Sequence, residues 1–61
     1  MKIKKFDVVG LKNKNKAVIL EIYKRKKYYA EIVNDKGETI NKKEITSKEI
    51  DKIIYRKEIG R

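Results

Sequence analysis

Ile45-Thr46-Ser47-Lys48-Glu49-Ile50 is the stretch that decides the fold, and Ile53-Ile54-Tyr55 follows it closely. Thr46 is placed to accept a hydrogen bond from the Glu49 N–H while the Glu49 side chain reaches back, which is a capping box at a helix start. Ile45 and Ile50 flank the box as a hydrophobic staple. The stretch therefore predicts one helical turn that leads into a short final strand.

A full C-terminal helix is the alternative for this region. Ile50, Ile53 and Ile54 keep helical spacing, and Gly60 is a residue type that commonly ends a helix. The sequence alone therefore leaves two endings open, a helical turn followed by a strand or a continuous helix.

Upstream of this region, strand-like runs alternate with polar connections. The runs cover residues 5–11, 17–23, 28–33 and 38–45, and Asn-Asp-Lys-Gly at 34–37 is a hairpin turn signal that makes the third and fourth strands antiparallel neighbours. Ten Ile and four Val against two Leu and two Ala also favour β structure. We therefore predict a single, mostly β domain over residues 1–61, a small SH3-like five-stranded barrel with one short helical turn before the last strand. The alternative is an antiparallel sheet with a C-terminal helix.

The predicted core takes alternate positions along these strands. Successive side chains of a strand point to opposite faces, so one face of each strand is assigned to the core. Its members are Phe6, Val8, Val18, Leu20, Ile22, Ala30, Ile32, Ile40, Ile45, Ile50 and Ile53.

The residue types exclude most chemistry. The chain has no Cys and no His, so it lacks the usual nucleophile–base pairs and zinc ligand sets. Ser47 is the single serine and falls in the predicted helix start, and the three glycines are too scattered for a phosphate loop. We predict a non-enzyme with no catalytic residue, cofactor, metal or small-molecule substrate. No apolar run approaches the ~18 residues of a membrane span, so we expect a cytoplasmic protein without a membrane partner.

Charge is the feature that points to a partner. The 61 residues carry 18 Lys and Arg against 9 Asp and Glu, a net charge of +9, and residues 1–29 hold ten of the cations but only two of the acids. Two basic loops concentrate these cations, and we predict that they lie roughly 20 Å apart at opposite ends of the second strand. The candidate binding residues are Lys12, Lys14, Lys16, Tyr23, Lys24, Arg25, Lys26, Lys27 and Tyr28.

Two functions fit such a surface. The first is sequence-independent binding of DNA or RNA through the phosphate backbone, with Tyr23 and Tyr28 beside the cations to stack on bases. The alternative is a protein-interaction module, such as an immunity protein, antitoxin or small inhibitor, that binds an acidic protein partner through strand edges and complementary charge.

Four short motifs also resemble a known family. They are Phe6-Asp7-Val8-Val9-Gly10-Leu11, Tyr28-Tyr29-Ala30-Glu31-Ile32, Asp35-Lys36-Gly37-Glu38-Thr39 and Glu49-Ile50-Asp51. Over about residues 5–55 the chain is similar to a small bacterial SH3-like barrel family, domain of unknown function 4926. The resemblance implies an SH3-like fold and a small companion protein that binds a partner, in some cases a toxin-like one.

Overall fold

The computed structural model describes residues 2–55, and nearly all of its regular structure is β. The strands are β1 (Val8–Leu11), β2 (Lys16–Lys24), β3 (Lys27–Val33), β4 (Thr39–Thr46) and β5 (Ile50–Tyr55). A 3₁₀ turn (Ser47–Glu49) separates β4 from β5. Within residues 2–55 this turn is the one helical element, and no helix there is long and apolar enough to cross a membrane. The mostly β prediction is confirmed.

The 3₁₀ turn settles how the chain reaches its last strand. The Thr46 N–H donates to the Glu49 side chain at 3.1 Å, as the capping box predicts, and Ile50 returns to extended backbone with φ −90° and ψ 128°. The helical turn followed by a strand is therefore correct up to Tyr55, and the alternative of a continuous helix is wrong over that range. Gly60, which would end such a helix, lies outside the described residues.

All five strands form one antiparallel sheet in the order β4-β3-β2-β1-β5. If the sheet were flat, four strand spacings would place β4 and β5 ~19 Å apart. The 3₁₀ turn that joins them has only three residues and a rise of ~6 Å. The sheet must therefore curl strongly to bring its two edges together, although no ladder between β4 and β5 closes it within the described residues.

Two irregularities in β2 assist this curl. The register against β3 shifts between Ile19 and Glu21, and again between Ile22 and Lys24, which leaves Leu20 and Tyr23 as the extra residues. Such bulges bend a strand and increase its local twist. At the opposite side of the sheet, a Cβ on Gly10 would lie 3.2 Å from Ile54 Cδ1, so glycine permits the close approach of β5 to β1.

The hairpin between β3 and β4 follows the predicted turn. Gly37 has a φ of 84°, and its N–H donates to the Asn34 carbonyl at 3.0 Å. The Asn34 side chain accepts from the N–H groups of Lys36 and Glu38 at 2.9 and 3.0 Å. These bonds satisfy the backbone of the turn locally, and the predicted antiparallel pairing of β3 with β4 is confirmed.

The core lies on the inner face of the curled sheet. Its buried members are Val9, Leu11, Ala17, Ile19, Tyr28, Ala30, Ile32, Ile45 and Ile50, with Ile3 and Ile53 packed against them. The prediction is therefore correct for Ala30, Ile32, Ile45, Ile50 and Ile53. These residues lie on β3, at the end of β4 and around the 3₁₀ turn.

The predicted core is wrong on β1 and β2, where the opposite face is buried. On these strands Val8, Val18 and Leu20 are only half-buried and Ile22 is 41% exposed. The prediction is also wrong for Phe6, which precedes β1, and for Ile40 on β4, since they are 43% and 55% exposed. β1 and β2 carry apolar residues at consecutive positions, so alternation does not choose a face. The cross-strand register chooses it instead, because Val9 is paired with Ala17 and Ile53, and Ile19 with Ala30.

Candidate nucleic-acid interface

The most basic loop of the chain is the two-residue connection between β2 and β3. Lys24 and Lys27 lie opposite each other at the strand ends, with Arg25 and Lys26 between them, and all four side chains are exposed. Lys26 has a φ of 71°, a left-handed conformation that costs a non-glycine residue about 1–2 kcal/mol. A cation therefore occupies the tip of this hairpin at a conformational cost.

The 3₁₀ turn joins this hairpin to the other basic loop. The Ser47 N–H donates to the Lys26 carbonyl at 3.0 Å, and the Lys12 N–H donates to the Glu49 carbonyl at 3.0 Å. Lys48 lies between these two anchors and is exposed. The turn thus forms a bridge with one basic loop fixed at each end.

This bridge sets the separation of the two loops. The two 3.0 Å hydrogen bonds and the three-residue 3₁₀ rise, laid end to end, limit the separation of the Lys26 carbonyl and the Lys12 amide to about 12 Å. The prediction of two basic poles roughly 20 Å apart is therefore wrong for Lys12, because a curled and bulged β2 is not a straight spacer. The six cations that meet along this line form a surface that we name the cationic ridge: Lys12, Lys24, Arg25, Lys26, Lys27 and Lys48.

Two shallow grooves follow the ridge on either side of Lys48. The hairpin groove has a volume of about 340 Å³ and is lined by residues 24–27 and 46–48, so the Thr46 and Ser47 side chains lie among cations. The loop groove has a volume of about 250 Å³ and is lined by Leu11, Lys12, Asn13, Lys48 and Glu49. Lys48 lines both grooves and makes the two basic loops one continuous surface.

No described carboxylate neutralises the ridge. Lys5 Nζ and Glu21 form an ion pair at 3.5 Å, and neither residue belongs to the ridge. Among residues 2–55, no carboxylate lies within 4.0 Å of a ridge cation's charged group. Glu49 lines the loop groove, and its side chain already accepts a hydrogen bond from the Thr46 N–H. The ridge therefore presents its positive charge to solvent and to any anionic ligand.

The two predicted tyrosines have different surroundings. Tyr23 is 55% exposed, and its ring lies 6.3 Å from the Tyr29 ring at an interplanar angle of 42°. Tyr28 is only 7% exposed and belongs to the core, so the surface stacking expected of it is corrected to a packing role. Tyr29, which is not among the predicted binding residues, packs beside Tyr23 because the two are diagonal neighbours on adjacent strands.

The structure selects among the predicted cations and adds one. It brings Lys12 together with residues 24–27, whereas Lys14 and Lys16 are exposed but line neither groove. Lys48 was missed because it was read only as part of a helix start. Its position in the turn before the last strand was visible in the sequence. The role of that turn as a bridge was not, because it depends on β4 and β5 lying on opposite edges of the sheet.

Comparisons with known proteins add no homologue. No family model, curated protein or solved structure matches the chain. The resemblance to the small SH3-like family therefore stays a prediction, and the residues and their geometry carry the functional argument.

Proposed function

We propose that the protein is a non-enzymatic module that binds nucleic acids through their phosphate backbone, without sequence preference. The observation that carries this proposal is the cationic ridge, in which the 3₁₀ turn joins two basic loops into one surface without an ion-paired carboxylate among residues 2–55. A polyphosphate chain is the ligand class that gains most from an extended row of cations, because each neutralised phosphate releases condensed counterions.

The dimensions of the ridge suit several neighbouring phosphates. Its backbone span of up to about 12 Å corresponds to three or four nucleotides, at the ~3.4 Å of helix axis per phosphate on one strand. The hydroxyl groups of Thr46 and Ser47 lie within the hairpin groove and add hydrogen-bond donors to the charges.

The composition of the ridge explains the expected absence of sequence preference. Five of its six cations are Lys and only Arg25 carries a guanidinium group. Lys acts on phosphate as a point charge, whereas reading a guanine edge favours the planar fork of Arg. The ridge is therefore suited to the backbone rather than to base edges.

Salt-dependent binding tests the proposal directly. The wild-type chain is titrated against labelled single- and double-stranded DNA and RNA of mixed sequence, from about 50 to 200 mM salt. The test variant replaces Lys24, Arg25, Lys26 and Lys27 by Ser. The control variant replaces four exposed lysines outside the ridge by Ser, namely Lys36, Lys42, Lys43 and Lys52. Both variants lower the net charge by four, from +9 to +5.

We expect micromolar or tighter wild-type binding near 150 mM salt, and similar affinity for different sequences. The ridge variant should lose up to about three units of the slope of log K against log salt, since each lost phosphate contact removes about 0.7–0.9. The control should keep most of the slope. Equal losses in the two variants would show that only net charge matters and would refute the ridge as the binding site.

We also infer that the curled sheet belongs to the SH3-like barrel class. Three features support this finer assignment: the strand order, the strong curl, and the single 3₁₀ turn immediately before the last strand. A solution structure with hydrogen bonds or side-chain packing that seals β4 against β5 would establish the barrel. An open, solvent-filled gap between these strands would contradict it.

An acidic protein partner is the second candidate. β5 is an edge strand of the sheet, and its Ile54 and Tyr55 side chains are 45% and 60% exposed. Exposed apolar residues on an edge strand suit pairing with another polypeptide. Binding to poly-glutamate that survives 150 mM salt, together with no binding to any nucleic acid, would favour this candidate over the first.

A further inference from the structure

A third depression lies beside the basic hairpin, on the side away from the 3₁₀ turn. Its volume is about 320 Å³, and its apolar wall is formed by Ile3, Ile22 and Tyr28. We name it the apolar cleft. Ile22 is 41% exposed there and Ile3 is half-buried, whereas Tyr28 is only 7% exposed. Ile3 and Ile22 therefore supply the apolar surface that solvent and a ligand can reach.

The hairpin separates this cleft from the hairpin groove, and the same three side chains line both depressions. Lys24, Arg25 and Lys26 border the apolar cleft on one side and the groove with Thr46, Ser47 and Lys48 on the other. The hairpin is thus a cationic saddle between a depression that contains the Thr46 and Ser47 hydroxyls and one that contains the Ile3 and Ile22 side chains.

This pairing of depressions matches one nucleotide of an unpaired strand. A phosphate suits the hairpin groove with its lysines and hydroxyls, and a base that has left its stack is an apolar, planar group that suits the cleft. Bases inside a duplex are stacked and paired, so reaching the cleft would require unstacking at a cost. The charge of the saddle selects an anionic chain as the occupant over a neutral apolar peptide.

We propose that the apolar cleft accommodates an unpaired nucleobase while the hairpin cations hold the adjacent phosphate, so that the protein prefers single-stranded nucleic acid. The inference rests on the proposed function, since it names which form of nucleic acid the same surface takes. It assigns Ile3 and Ile22 to base contact and leaves the cationic ridge to the phosphates.

Three labelled ligands with equal numbers of phosphates separate the contribution of base contacts to the affinity from that of phosphate contacts. They are single-stranded DNA, the same strand built of abasic residues, and a duplex, each titrated at about 150 mM salt. We expect the abasic strand to bind the wild-type chain at least about fivefold more weakly than the strand with bases. Its salt slope should remain the same, because the phosphate contacts are unchanged. We also expect the duplex to bind more weakly than the single strand.

A matched pair of variants then locates the base contact. Ile22→Ser removes apolar surface from the cleft, and Ile40→Ser makes the same change at an exposed β4 position outside it. Ile22→Ser should reduce affinity for the strand with bases at least about fivefold, because it removes apolar surface that the base would bury, and should leave the abasic strand unaffected. Ile40→Ser should change neither. Circular dichroism confirms that each variant is folded, and the abasic comparison needs no variant at all.

The outcomes keep this inference apart from the proposed function. If wild-type protein binds none of the three ligands, the proposed function fails, and the inference fails with it. If the abasic strand and the strand with bases bind equally with the same salt slope, backbone binding stands and the base-binding cleft is refuted. A fivefold or larger loss confined to Ile22→Ser and the base-containing strand would support the cleft.

Discussion

Replacing Ile19 and Leu20 by Ala, one at a time, tests which face of β2 is buried. Ile19 is fully buried in the core, whereas its neighbour Leu20 is half-buried at a bulge on the other face. Strand alternation alone puts Leu20 in the core, so the two readings predict opposite rankings of the two variants.

The structure fixes the magnitudes. Ile19→Ala removes three buried carbons worth ~0.8 kcal/mol each, or ~2.4 kcal/mol, and the residual cavity raises the loss into the range of about 2–5 kcal/mol. Leu20→Ala removes carbons that are already partly hydrated and should cost ~1 kcal/mol. At 61 residues the whole free energy of unfolding is about 3–9 kcal/mol, so the first loss is a large share of the total.

Thermal unfolding followed by far-ultraviolet circular dichroism measures both variants. An unfolding entropy of about 0.13 kcal/mol/K for 61 residues converts these losses to a Tm drop of ~19 °C or more for Ile19→Ala. The same conversion gives ~8 °C for Leu20→Ala. Urea titration with an unchanged m-value checks that the denatured state is not the cause. A Tm drop for Leu20→Ala equal to or larger than that for Ile19→Ala would refute the register.

Three further substitutions test the turn regions and the ridge. Lys48→Ser should lower the slope of log K against log salt by about 0.7–0.9. Its control, Lys36→Ser, removes a hairpin-tip charge outside the ridge and should leave the slope unchanged. Equal slopes for the two variants would exclude Lys48 from binding. Glu49→Ala should lower the free energy of unfolding by about 1 kcal/mol, because it removes the acceptor of the Thr46 N–H. Glu49→Gln keeps an acceptor and should restore most of this loss. Equal stability of the two variants in chemical denaturation would contradict the capping box. Gly37→Ala should lower the free energy of unfolding by about 1–2 kcal/mol, because the φ of 84° strains a residue with a Cβ. Nothing lies within 4 Å of the added Cβ, so no steric clash contributes to this loss. An unchanged urea midpoint would contradict the turn geometry.

Local signals in the sequence account for most of the fold. The Asn-Asp-Lys-Gly turn at 34–37 and the capping box at 46–49 each specify backbone geometry within four residues, and both are present in the structure. Five strands and a helical turn before the last one follow from these signals and from β-branched composition. The inner face of β3 is predictable in part, because Glu31 lies between Ala30 and Ile32 and marks the opposite face as the polar one.

The inner faces of β1 and β2 lay beyond such signals. Their apolar residues are consecutive, so a shift of one position exchanges two nearly equal faces. Pairing with β3 and β5 breaks the tie, and the bulges at Leu20 and Tyr23 change the phase within β2 itself. Sequence patterns contain no information on pairing between distant strands when both faces are equally apolar.

Some features of the candidate site are determined by the sequence, and others depend on the tertiary structure. The sequence by itself determined that the chain carries no Cys or His chemistry, that its cations concentrate in two loops, and that a capped turn precedes the last strand. Only the tertiary structure decided that Lys12, Lys48 and the β2–β3 hairpin share one surface and that Tyr28 faces inward. The physical reason is the curl of the sheet, because a three-residue turn must join its opposite edges and therefore draws together loops that lie far apart along β2.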